Sequence, residues 1–217
     1  TLTPETVGFI GLGNMGRPMS QRLLEAGYHV VAYDLADEAL AEVAAAGATP
    51  ASNVAEVAAA CDVLLTSLPR PDHVEAVMEG AGALAALRPG SCWVDLTTNR
   101  RELVQRLAAA APAGVTVADS PLTGAVDGAR NGRLTLFIGG DDATVARATP
   151  ILEHLGRLRP AWCACPDRVC TFGHPARGAL VQDRVCARFV PPPARLSRPL
   201  PPSGLRVRVR AGVSAHV

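Results

Sequence analysis

The segment Gly11-Leu12-Gly13-Asn14-Met15-Gly16 spaces three glycines as G-x-G-x-x-G, and an acid, Asp34, follows Gly16 by 18 residues. Each glycine in such a loop has its own task. Gly11 permits a tight turn, Gly13 lets a ligand approach the backbone, and Gly16 lets a helix pack closely on a strand. The helix that follows offers unpaired N–H groups and a positive dipole end, which suit a pyrophosphate. A carboxylate about 20 residues beyond the loop accepts hydrogen bonds from adenosine ribose hydroxyls and repels a 2′-phosphate. Gly11, Leu12, Gly13, Asn14, Met15, Gly16 and Asp34 are therefore expected to bind a dinucleotide, NAD in preference to NADP. The plainer alternative is an ordinary strand–helix turn, with Asp34 capping the next helix.

Residues able to move a proton are scarcer. The 217 residues contain no lysine, and all 21 basic residues are arginine, which stays protonated at neutral pH. His73 reads as a surface histidine on the helix after Pro69. No Ser/His/Asp set and no paired carboxylates stand out. The formal net charge of +1 argues against a dedicated nucleic-acid binder. No signal peptide, lipidation motif or long apolar span is visible, so a soluble cytoplasmic protein with no membrane partner is expected. Cys61 and Cys92 sit beside apolar runs and read as buried, reduced thiols.

The elements that must position the glycine loop follow from apolar periodicity. Strands are expected at Thr6–Ile10, Tyr28–Tyr33, Asp62–Leu68, Ser91–Leu96, Val115–Asp119 and Leu134–Ile138. Helices are expected at Met15–Ala26, Asp37–Ala46, Val54–Ala60, Asp72–Met78, Arg101–Ala111 and Asp141–Leu155. This repeated βαβ rhythm predicts an α/β fold with a Rossmann-type, doubly wound, mostly parallel sheet. The pattern ends near Gly156. Residues 1–159 carry twelve arginines against eighteen acids, a net of −6, whereas 160–217 carry nine against two, a net of +7. The second stretch also holds nine prolines, including Pro191-Pro192-Pro193, so a largely irregular C-terminal tail is expected there. Two domains are thus drawn, 1–159 for the cofactor and 160–217 for the tail.

Four ordered segments resemble the β-hydroxyacid dehydrogenases, a family that includes 3-hydroxyisobutyrate dehydrogenase and tartronate semialdehyde reductase, with 6-phosphogluconate dehydrogenase more distant. Gly8 through Met19 is similar to the family's opening signature. Leu64-Leu65-Thr66-Ser67-Leu68-Pro69 resembles its fourth-strand segment, which implies that Leu68 and Pro69 lie beside the cofactor. Val94-Asp95-Leu96-Thr97-Thr98 resembles its Asp-x-Ser-Thr segment, which implies that Thr98 lies near the nicotinamide and that Asp95 orders the neighbouring loop. Asp119-Ser120-Pro121-Leu122-Thr123-Gly124-Ala125 resembles its Asp-Ala-Pro-Val-Ser-Gly-Gly segment, which implies that Thr123, Gly124 and Ala125 hold a substrate carboxylate. Ala125 replaces the family's second glycine. Without the resemblance, Ser120 to Gly124 reads as a Pro-containing turn.

The family resemblance implies an oxidoreductase that transfers hydride between NAD(P) and a small 3-hydroxy acid, the imine being an open alternative. It also implies a catalytic lysine in a Gly-x-x-x-Lys-x-x-Asn helix of an all-helical C-terminal domain. Neither is present, so no catalytic residue is assigned and very low activity is expected. A non-catalytic dinucleotide-binding module is the alternative. An Arg-, Pro- and Cys-rich tail without lysine is what out-of-frame translation of a GC-rich gene would give, with the break near 157–160. Cys163, Cys165, Cys170 and His174 match no known zinc spacing, so no metal is assigned.

Overall fold

The computed structural model describes residues 5–160. Its main sheet is built from apolar runs of four or five residues with both faces covered, the pattern of a buried parallel sheet. The strands are β1 (Thr6–Ile10), β2 (His29–Tyr33), β3 (Thr49–Pro50), β4 (Val63–Thr66), β5 (Cys92–Asp95) and β6 (Thr116–Asp119). They pair in the order β3-β2-β1-β4-β5-β6, all parallel. Strand order reverses between β1 and β4, so the loops leaving these two strands diverge and open a crevice at the carboxyl edge.

Alternate side chains of each strand enter opposite cores. Phe9, Ala32, Leu65 and Val94 pack with Met19 and Leu23 of α1 (Gly16–Glu25) and with Val43 of α2 (Asp37–Ala45). Ile10, Val31, Leu64 and Trp93 pack on the other face with α3 (Val54–Ala60) and with Leu103, Val104 and Leu107 of a later helix, Arg101–Ala110. Between them lie α4 (Pro71–Glu75), a π-helical turn over Ala76–Gly80, and α5 (Ala83–Ala86), which makes Arg101–Ala110 α6. Cys61 and Cys92 are buried free thiols, and burial pushes them up to about 12 and about 11. Among the described residues no helix is long and apolar enough to cross a membrane.

Several elements depart from the periodicity. The expected helix over 72–78 is divided, its second half widening into the π turn, where the Ala81 N–H donates to the Ala76 carbonyl at 2.7 Å. Arg106 of α6 pairs with Glu75 and Glu79 across this turn. Leu134–Ile138 is a strand, β8, but it lies outside the main sheet. It joins a second sheet between β7 (Leu122–Thr123, antiparallel) and β9 (Gly156–Pro160, parallel). Helix α7 (Ala125–Arg130) stands between β7 and β8, and α8 (Asp142–Leu152) between β8 and β9. The helix expected to reach Leu155 therefore stops at Leu152, and a strand follows where the pattern was expected to end. Long-range pairing decides this: the β9 register sets Gly156 beside Leu134. The tail expectations from residue 161 onward, including the cysteine set, lie outside the described residues.

Gly156 is the closest approach in the small sheet. A Cβ there would stand 2.0 Å from the Leu134 carbonyl oxygen. Gly156→Ala should therefore cost about 2 kcal/mol through overpacking, with β8–β9 amides losing protection first. Chemical denaturation with hydrogen-exchange mass spectrometry checks it, and an unchanged midpoint would contradict the pairing.

Candidate functional site

The loop between β1 and α1 is shaped by what its glycines lack. Gly11 adopts φ +96°, and a Cβ on it would lie 2.3 Å from the Ser67 carbonyl oxygen. A Cβ on Gly16 would lie 1.8 Å from the Gly11 carbonyl oxygen. These two glycines let the loop fold against β4 and α1 sit down on the loop. Gly13 differs, since a Cβ there would meet nothing within 4 Å; its backbone faces open space that a ligand can enter. Met15 precedes α1, no side chain caps that terminus, and the first turn holds no acid. Its donors and dipole stay available to an anion.

Asp34 follows β2 at the same edge. Its Oδ2 accepts from the Leu12 N–H at 2.5 Å and its Oδ1 from the Ala36 N–H at 2.8 Å. The residue preceding α2 is Ala36, with no side-chain cap, so Asp34 is not capping that helix. The carboxylate instead ties the glycine loop to the end of β2. Each oxygen has a second lone pair free to accept a ribose hydroxyl.

A cleft of about 720 Å³ opens here. Gly11, Gly13, Asn14, Met15, Gly16, Asp34, Leu68 and Pro69 all line it. Leu12 is outside this lining: its side chain is fully buried in the core and its N–H donates to Asp34. Thr98 is exposed and outside this lining. Sequence reasoning missed Leu35, Asn53, Val54, Ala76, Val77 and Ala81, which also line the cleft. Leu35 is 88% exposed, an apolar side chain beside an acid at a strand end, and that oddity was its available signal. His73 lines the rim and sits 3.0 Å from an Arg70 nitrogen. Arg70 also holds Asp72, keeping that carboxyl down at about 2. The fit to a dinucleotide is thus an open backbone cradle at Gly13, an uncapped helix terminus and an acceptor at Asp34 around one cleft.

Two buried acids lie at the carboxyl ends of β5 and β6, side by side in register. Asp95 Oδ1 accepts from the Thr66 hydroxyl at 2.9 Å and the Thr97 N–H at 3.0 Å, and Oδ2 accepts from Asn99 Nδ2 at 2.8 Å. Trp93 Nε1 donates to Thr66 Oγ1 at 3.0 Å. Asp119 has no partner on either oxygen among the described residues, and neither has the Ser120 hydroxyl. Burial pushes both acids upward; the donors around Asp95 pull it back. Nothing restrains Asp119, which burial and the neighbouring Asp95 raise to about 9. Asp119 is therefore neutral at pH 7.

The segment expected to hold a substrate carboxylate forms β7 and the entry to α7. Thr123, Gly124 and Ala125 are exposed and none lines the cleft. Gly124 has φ +130° and Ala125 φ +54°. Alanine in the left-handed region is strained by about 1–2 kcal/mol, which explains why the family motif carries glycine at this place.

The sign of the Asp119 effect is set by its raised pKa. Its proton stabilises the fold fully below about pH 4, and that contribution is lost as pH rises through about 9. Asp119→Asn should melt progressively higher than the parent between pH 5 and pH 9, by no more than about 1.4 kcal/mol per pH unit. A difference in melting temperature that does not change with pH would contradict a neutral Asp119.

Comparison with known proteins agrees with this geometry. The family model for the NAD binding domain of 6-phosphogluconate dehydrogenase matches residues 6–173. The chain is 39% identical over 153 residues to 2-(hydroxymethyl)glutarate dehydrogenase of Eubacterium barkeri, covering 70% of this chain and 51% of that one. It is 38% identical to 3-hydroxyisobutyrate dehydrogenase of Pseudomonas aeruginosa, with the same coverage. The solved structure of Mycobacterium tuberculosis 3-hydroxyisobutyrate dehydrogenase with L-serine superposes with a TM-score of 0.69 at 34% identity, covering 73% of this chain and 55% of that one. The chain spans about half the length of the curated relatives it matches. Its cofactor is NAD(P), and the chain belongs to the β-hydroxyacid dehydrogenase family, through the NAD binding domain that this family shares with 6-phosphogluconate dehydrogenase.

Proposed function

We propose that this chain carries the dinucleotide-binding half of a dehydrogenase acting on a small 3-hydroxy acid, and that it takes NAD(H) rather than NADP(H). The observation that carries the cofactor choice is Asp34, fixed at the end of β2 by the Leu12 and Ala36 N–H groups while lining the cleft. Its anionic oxygens would receive ribose hydroxyls and repel a 2′-phosphate. The backbone from Gly11 to Gly16 would hold the pyrophosphate, Leu68 and Pro69 would wall the nicotinamide side, and Thr98 would stand near the ring. Thr123, Gly124 and Ala125 would hold a substrate carboxylate. When bound, the nicotinamide supplies or accepts a hydride.

The proton that must accompany a hydride would come, by the family pattern, from a lysine. The 217 residues contain no lysine, the amine whose tunable pKa suits that role. We therefore expect very low turnover from this chain alone, so that it acts as a binding module. We also propose that 1–159 is the cofactor domain and that a reading-frame shift near 157–160 produced residues 160–217. Translating the coding DNA in its other two frames tests this. A Gly-x-x-x-Lys-x-x-Asn segment there supports it, and none overturns it.

Titration with NADH and NADPH should show NADH binding at least about tenfold tighter; equal or tighter NADPH binding overturns the role of Asp34. Gly13→Ala should leave stability within about 0.5 kcal/mol yet weaken NADH about tenfold, whereas Gly16→Ala should cost about 3 kcal/mol of stability. Clear turnover of 3-hydroxyisobutyrate or L-serine by the purified chain would contradict the missing proton donor.

A further inference from the structure

We propose that Thr97 is a positioning residue of the dinucleotide cleft, its hydroxyl fixing the Leu68–Pro69 wall in place. The inference rests on the cleft being the dinucleotide site. Beyond the end of β4 at Thr66, the chain must turn across the crevice without strand pairing. Two bonds hold it there. The Ser67 N–H donates to the Ile10 carbonyl at 2.9 Å, on the β1 side. The Leu68 N–H donates to Thr97 Oγ1 at 3.0 Å, on the β5 side. Leu68 itself then lines the cleft, and its side chain lies against the glycine loop, 3.0 Å from the position a Gly11 Cβ would occupy.

Thr97 can serve as a fixed acceptor because it is itself fixed. It is 4% exposed, and its N–H is anchored on Asp95 Oδ1 at 3.0 Å. Asp95 is in turn held by Thr66 and Asn99, and Thr66 by the Trp93 indole. The chain of bonds runs from the sheet interior to the cleft wall and ends on a backbone N–H that has no strand partner. Thr97 does not line the cleft, so it acts through Leu68 and not by touching the ligand. A hydroxyl is required, because the Leu68 N–H needs an acceptor and a methyl group of the same size offers none. Without it the N–H must turn toward water in the cleft, and the wall moves with it.

The test uses the full chain and NADH as the probe. Thr97→Val should raise the Kd for NADH about tenfold, while Thr97→Ser, which keeps the acceptor, should stay within about twofold. The Leu68 amide should exchange slowly with deuterium in the parent and in Thr97→Ser, and quickly in Thr97→Val. An unchanged Kd in a folded Thr97→Val overturns the proposal, as does an equal loss in both variants. If Thr97→Val fails to fold, the Leu68 amide of the parent decides, and rapid exchange there overturns it. Failure of the parent to bind NADH would instead refute the dinucleotide site.

Discussion

The carbonyl oxygen of Gly11 occupies space that any side chain at residue 16 would need, and the Ser67 carbonyl crowds residue 11 in the same way. This double close approach is the constraint on which the site depends. It lets α1 begin directly against the end of β1 and lets the β4 exit loop lie against the glycine loop. Only then does strand-order reversal between β1 and β4 give a cleft with backbone on one side. Asp34 completes the arrangement through the Leu12 N–H. It joins the glycine loop to the end of β2.

The Leu68–Pro69 segment is held by different means. There the backbone is not jammed by close contact but suspended from buried hydrogen bonds that begin at Asp95. Concentrating several donors on one buried carboxylate is favourable only if the set is complete, since a half-satisfied buried network costs more than an apolar core. Asp95 meets this condition and Asp119 does not. The two acids share one register position, and ionising both would set like charges together in a medium that screens them poorly. Environment thus divides them: donors pull the Asp95 carboxyl back from the rise that burial imposes, and Asp119, without donors, keeps its proton.

Much of this was legible in the residues. G-x-G-x-x-G with an acid 18 residues on located the cleft's first wall, because those residue types answer steric and electrostatic demands that do not depend on the rest of the chain. The apolar runs that built β1, β2, β4, β5 and β6 were equally local. What stayed hidden depends on pairing at a distance. β9 exists because Gly156 can lie against Leu134, and no periodicity in 156–160 reports that. The π turn is held by Arg106, some 30 positions away along the chain, and it brings Ala76 and Val77 to the cleft. The identities of Thr123, Gly124 and Ala125 were readable from the motif, but their place outside the cleft lining was not.

That separation bears on chemistry. In the cleft the described side chains offer the Asp34 carboxylate, apolar groups, the polar groups of Asn14, Tyr33, Asn53 and Ser67, and the His73 imidazole beside Arg70, while the two acids with the most perturbed surroundings are buried and outside its lining. Their burial holds a proton on Asp119 by excluding water, and the same exclusion prevents exchange with a ligand. General acid–base work needs a group that reaches both the reacting oxygen and solvent. On the proposed reading, the domain's residues would act on how a dinucleotide is held, Asp34 through the ribose and the Thr97–Leu68 bond through the cleft lining. Binding constants, not turnover, are the quantity on which changes at these residues should register first.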